Sequence, residues 1–256
     1  MLIIYDFISY TDVFTYNITT LESLLIYAMK TITYQSDYLG NGFEFATINQ
    51  PDDYEGKVVA TVIRKQCSMP SNKAVLYVHG FNDYFFQSEM AHRFNEKGFH
   101  FYAVDLRKYG RSTLPHHKSN NMRSLTEYFA DLDEALDIVR QEGNEQVLLS
   151  GHSTGGLLVT LYASERVGNE KFDTIFCNSP FYDMNMPGYQ KRLLVPLVAL
   201  FGKYFPDVLL PGKISEWYGH SLHGEKKGEW DYNLVWKPHL VPALNAGWIS
   251  AIHQGH

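Results

Sequence analysis

The sequence is short of cysteine, of basic clusters and of long apolar runs. Its only two cysteines, Cys67 and Cys177, lie far apart and match no metal-ligand spacing. That excludes a disulfide framework and a thiolate metal centre, and it reads as reduced thiols in a cytoplasmic protein. No metal and no cofactor is expected. Lys and Arg form no long run, and the formal net charge is −6 at pH 7. Nucleic acid is therefore not an expected partner, because phosphate binding needs clustered basic side chains. No stretch is apolar enough to span a bilayer. Residues 1–28 contain no Lys or Arg but include Asp6, Asp12 and Glu22. They have neither the positive start nor the uninterrupted apolar core of a secretory signal. Two readings of them stand. They form a poorly packed extension ahead of a start at Met29-Lys30, or an extra helix around residues 21–27 docks on the domain. No internal repeat or low-complexity tract is visible.

What is present is enough for a sizeable core. Across 256 residues the hydrophobic fraction is 45% and aromatics reach 15%, which suits one large domain or one domain with an insertion. Residues 43–48 and 57–63 read as strands, with the turn-rich Asp52-Asp53-Tyr54-Glu55-Gly56 between them, so an antiparallel hairpin is expected. Residues 74–78 and 100–104 are near-continuous apolar runs suited to strands buried on both faces. Between them, residues 88–97 are helical in pattern and stop at Gly98. Ser124-Leu125-Thr126-Glu127 is a capping box, followed by Leu125, Tyr128, Phe129, Leu132, Ala135, Leu136 and Val139 at helical spacing. Residues 174–179 form another short strand. Strands alternating with helices predict a mostly parallel α/β sheet with right-handed crossovers.

The organising stretch is Val147-Leu148-Leu149-Ser150-Gly151-His152-Ser153-Thr154-Gly155-Gly156. It reads as an apolar strand, a tight turn with Ser153 at the tip, and a helix start. Gly151-His152-Ser153-Thr154-Gly155 is a G-x-S-x-G nucleophile elbow. A serine held on a strained strand-to-helix turn needs neighbours without side chains, so that strand and helix can approach. The helix N-terminus behind Ser153 offers free N–H groups and a positive dipole end.

With His79-Gly80 and Asp105-Leu106-Arg107-Lys108-Tyr109-Gly110-Arg111-Ser112, this elbow resembles the α/β-hydrolase fold. More narrowly it is similar to the monoacylglycerol lipase and lysophospholipase branch, which merges with the serine aminopeptidases of the S33 type. The resemblance begins near residue 34. It implies Ser153 as nucleophile, with the backbone N–H groups of Phe81 and Thr154 as the oxyanion hole. Gly80, Gly151 and Gly155 support the elbow and its facing loop. His79 and His152 are expected to be structural, as is Asp105 in its loop with Arg107 and Arg111. In this fold the acid and the histidine follow the nucleophile in the chain. The family carries them after two further strands beyond the cap. Here residues 246–256 read as the start of the returning core helix, and no triad acid or histidine is matched. The expectation is a C-terminally shortened member whose last two strands are missing. The alternative draws an acid from Asp183 and a base from a cap histidine, His220 or His239.

The domain organisation expected is therefore an extension over 1–28, an α/β-hydrolase core over 29–183 and a cap or lid over 184–245, followed by that helix. Ordinary packing helices are the competing reading of the cap. Leu193, Leu197 and Leu200 are expected to contact the substrate acyl chain, with Val195 and Val198 beside them, and the cap to touch lipid surfaces. The leading function is hydrolysis of acyl esters such as monoacylglycerols or lysophospholipids through an acyl-enzyme on Ser153. Activity is doubtful in a chain without a matched acid and base. A peptidase or small-ester hydrolase is the alternative, with Asp183, Asp207, Glu216 and Asp231 available to grip an amino terminus. A non-catalytic remnant is the third. Self-association is expected along the apolar edge at residues 174–179.

Overall fold

The computed structural model describes residues 32–168, 171–210, 216–240 and 243–256. The two readings of residues 1–28 lie outside the described residues. The hairpin forms from β2 (Glu44–Asp53) and β3 (Gly56–Lys65), with a short β1 (Gln35–Ser36) added to β2. β2 runs through Asp52 and Asp53, which the sequence reading assigned to the turn. A register shift between Gln50 and Asp53 lets the strand continue there.

β4 (Lys73–Val78), β5 (His100–Asp105), β6 (Gln146–His152) and β7 (Thr174–Asn178) are mutually parallel, and β3 meets β5 antiparallel. The sheet order is β1-β2-β3-β5-β4-β6-β7. β4 and β5 are apolar and almost wholly buried because helices cover both faces of the sheet. Helix α1 (Ser88–Glu96) places Ala91 against Phe43, Ile63, Val75, Phe85 and Phe101. Helix α2 (Phe129–Gln141) buries Leu132, Leu136 and Val139, and α3 (Thr154–Glu165) follows β6. The capping box forms as expected, but residues 125–128 are a 3-10 turn and the α-helix begins only at Phe129. On its far side β7 pairs with no strand among the described residues, and Ile175 and Phe176 are exposed.

After β7 come a π-turn at Gln190–Leu194, α4 (Val195–Tyr204), α5 (Trp217–Leu222) and α6 (Ala246–Gly255). Val195, Ala199 and Gly202 form the buried face of α4. A Cβ on Gly202 would collide with the Ala246 carbonyl of α6. That close approach turns the bulky side chains of α4 outward, and Leu193, Leu197 and Leu200 are 67%, 65% and 57% exposed. No helix among the described residues is long and apolar enough to cross a membrane.

The loop after β5 is anchored by buried charge. Arg111 donates to both oxygens of Asp37 at 2.7 and 3.0 Å and to Asp105 Oδ2 at 2.8 Å. Burial opposes the guanidinium charge, and the two carboxylates more than offset it, so Arg111 stays ionised. Arg107, grouped with Asp105 in the sequence reading, instead forks onto Asp131 of α2. Arg111→Ala would leave two buried carboxylates unpaired and is expected to cost about 3–5 kcal/mol. Chemical denaturation checks this, and a loss below about 1 kcal/mol would contradict the anchoring role.

Candidate active site

Ser153 stands between β6 and α3 with φ +53° and ψ −118°, a conformation that L-residues adopt only under constraint. The constraint is visible. Its N–H donates to Asn178 O of β7 at 3.0 Å. Its carbonyl accepts from Gly156, Leu157 and Phe181 at 2.9, 3.2 and 2.9 Å. The flanking glycines are needed for contact rather than for φ. A Cβ on Gly155 would sit 2.5 Å from Val78 O and closer still to His79 O, and one on Gly151 would sit 2.8 Å from Gly156 N. Gly80 lies opposite, where an added Cβ would be 3.0 Å from Ser153 Cβ. The structure thus brings His79-Gly80-Phe81 directly against the serine.

The backbone N–H groups of Phe81 and Thr154 have no acceptor among the described residues, and Ser153 Oγ has no hydrogen-bond partner there either. All three residues line one cavity of about 530 Å³, together with Gly80 and His152. Its apolar wall comes from Phe81, Phe181, Met184, Met186, Trp248 and Ile249. Phe81 and Trp248 pack ring to ring at 4.8 Å. Leu193, Leu197 and Leu200 are not among the lining residues. They point away because the small face of α4, not its leucines, packs inward.

His79 Nε2 accepts from Leu106 N–H at 3.1 Å and its Nδ1 lies 2.8 Å from Gly80 O. Amide and carbonyl partners fix the proton on Nδ1, and both nitrogens are used in holding the loop. His152 keeps a buried Nδ1 with no partner among the described residues. The acid and base of the alternative triad are not brought together. The Lys191 ammonium pairs with Asp183 and holds its carboxyl below the usual range. His220 lies 3.7 Å from Glu216. His239 lines the cavity but makes no hydrogen bond to Ser153. Burial, then the neighbouring rings of His220 and His223, push its pKa below the usual imidazole range.

Sequence reasoning missed the groups that brace this cavity. Lys237 donates to Asp83 at 2.7 Å, and both side chains are buried at its wall. Asn82 Nδ2 donates to Pro238 O at 3.4 Å, and the Asn233 N–H donates to Tyr84 Oη at 2.7 Å. These bonds tie residues 233–238 to the loop carrying Phe81. Asp83 is also the only carboxylate among the lining residues described, and Lys237 neutralises it. Of the four acids that could grip an amino terminus, Asp207 pairs with Lys118 and Arg123, Asp231 is fully exposed, and Asp183 and Glu216 are engaged as above.

A strained serine with two open amides at the carboxyl ends of a mostly parallel sheet defines an α/β-hydrolase. A family model for serine aminopeptidases of the S33 type matches residues 69–230, more than half of the chain. The chain belongs to that hydrolase family. Among curated protein sequences it has no match. A soluble variant of monoglyceride lipase from Saccharomyces cerevisiae, in complex with a substrate analog, is similar with TM-score 0.56 at 17% identity. That match covers 89% of this chain and 70% of that one. The monoacylglycerol lipase of Paleococcus ferrophilus gives 0.55 at 20% identity, over 76% of this chain and 69% of that one. A thermostable carboxyl esterase from Bacillus coagulans, in complex with glycerol, gives 0.56 at 14% identity, over 82% and 72%. At such identities the likeness concerns the fold.

Proposed function

We propose that the chain is a serine ester hydrolase for acyl esters of lipid-like alcohols, such as monoacylglycerols or lysophospholipids. The observation that carries this is the strained Ser153, its Oγ free, beside two unbonded amides in a cavity with an apolar wall. In this reading Ser153 Oγ attacks the ester carbonyl, its hydroxyl proton passes through solvent water to the departing alkoxide, and the Phe81 and Thr154 N–H groups receive the developing oxyanion. The alcohol leaves, and water then releases the acid. Met184, Met186, Trp248 and Ile249 hold the acyl chain, replacing the α4 leucines in that role. The monoglyceride lipase likeness is in keeping with it. The neutralised Asp83 favours an ester over a peptide with a free amino terminus, which needs an unpaired acid.

An acyl-length series tests the reading. Each methylene buried in the apolar wall contributes about 0.8 kcal/mol. The second-order rate of Ser153 acylation by p-nitrophenyl esters is therefore expected to rise about threefold to fourfold per added carbon until the cavity is filled. A flat profile, or faster acylation by aminoacyl anilides, would overturn it in favour of a peptidase.

A further inference from the structure

The cap carries an imidazole cluster that acyl transfer does not use. His223 is buried, with Nδ1 accepting from the Glu225 backbone N–H at 3.2 Å and Nε2 lying 3.3 Å from Tyr232 O. An amide can only donate and a carbonyl only accept, so the proton sits on Nε2 and the lone pair on Nδ1, where a metal ion would take the place of the Glu225 N–H. That is how a metal-binding imidazole is held, its far N–H anchored on a carbonyl. The Glu225 carboxylate lies 4.0 Å from the same Nδ1. His239 faces His223 with ring centroids 5.2 Å apart at 81°. Both His239 ring nitrogens are shut away from solvent and bond to nothing among the described residues. A ring nitrogen shut away from solvent with its lone pair unused is costly, and such groups call for an explanation.

We propose that His223, Glu225 and His239 form a binding site for one transition-metal dication of the zinc class. Their ligand atoms already lie within 4.8 Å of one another. Tetrahedral zinc with bonds of about 2.0–2.1 Å places its ligand atoms roughly 3.3 Å apart. The closure needed is up to about 1.5 Å, and the exposed Glu225 side chain is free to supply much of it. Two imidazoles and one carboxylate suit zinc, nickel or copper rather than calcium or magnesium, which prefer all-oxygen sites. The fourth position is left to water. The ion would pin residues 223–225 to His239, and His239 is itself a wall of the Ser153 cavity.

The test needs no ester hydrolysis, so it stands apart from the reading of Ser153. The full 256-residue chain, stripped with a chelator, is titrated with Zn2+ against a chromophoric indicator, and its thermal midpoint is followed. One equivalent is expected, with a raised midpoint because the ion binds the folded state. Glu225→Gln and His239→Gln are each expected to weaken binding by more than about tenfold, since even outer-shell losses reach that size. Glu225→Gln removes only an exposed carboxylate, so its metal-free midpoint stays that of the parent chain. The adjacent His116 and His117, with rings 4.4 Å apart, are the rival surface site. His117→Gln is expected to leave zinc binding intact. Absence of stoichiometric binding would overturn the proposal. So would binding that survives both Glu225→Gln and His239→Gln, or that disappears with His117→Gln.

Discussion

Gly155→Val is expected to lower stability by about 3 kcal/mol or more, at the upper end of what overpacking a buried site costs. The first carbon added would already lie 2.5 Å from Val78 O and nearer to His79 O. Both obstacles are backbone at the end of β4, the central strand between β5 and β6, so neither can yield like a flexible side chain. For a domain of this size such a loss corresponds to roughly 6–12 °C in thermal midpoint. Gly188 is the matched control. A Cβ there would meet nothing within 4 Å and its φ is not positive, so Gly188→Ala is expected to shift stability by less than about 1 kcal/mol. Differential scanning calorimetry of the two variants decides the matter. Equal effects would show that the elbow does not depend on this approach of strand and helix.

The second large effect concerns rate. Among the described residues no imidazole bonds to Ser153 Oγ, so the chain is expected to hydrolyse an unactivated glycerol ester only weakly. Losing a member of a nucleophile–histidine–acid triad leaves roughly 10³–10⁴-fold acceleration over water, from the oxyanion hole and binding alone. Removing a second member then costs little more, because the triad acts as a unit. Ser153→Ala should accordingly change turnover of the unactivated monoacylglycerol by less than about tenfold, while acylation by an activated p-nitrophenyl ester, which Ser153 itself carries, should be lost. Its folding should be unaffected, because Ser153 Oγ bonds to nothing among the described residues. Initial rates and thermal midpoints of both proteins check this. Turnover at about 1 s⁻¹ or faster, abolished in Ser153→Ala, would mean that a base does reach the serine.

Much of this organisation was legible in the sequence because its signals are local. The elbow pentapeptide, the apolar runs of β4 and β5 and the capping box at Ser124 each declare themselves within a few residues. Residues 184–245 were not legible in this way. The run from Leu193 to Leu200 is apolar on every side, and periodicity alone cannot say which face is covered. The decision falls to Val195, Ala199 and Gly202, which let α4 approach the α6 backbone and send the leucines outward. The cavity wall is assembled from Phe81, Met184, Met186, Trp248 and Ile249, which share no motif. The Asp83–Lys237 tie spans 154 residues of chain, and no spacing rule announces such a pair. His223 and Glu225 share the turn at residues 223–228, but His239 reaches them from elsewhere in the chain, and no spacing rule announces the three together.

The central claim is that Ser153 is an acyl acceptor served by the Phe81 and Thr154 amides. Its most direct test is prolonged incubation with an alkyl fluorophosphonate, followed by peptide mass spectrometry. Fluoride leaves without needing a proton donor and solvent water takes the serine proton, so over a prolonged incubation the open amides and the strained serine are expected to suffice. The account predicts a single adduct on the peptide containing Ser153, slowed by competing long-chain acyl esters and absent from Ser153→Ala. An unmodified Ser153 peptide, or adducts spread over several serines and unchanged in Ser153→Ala, would contradict it.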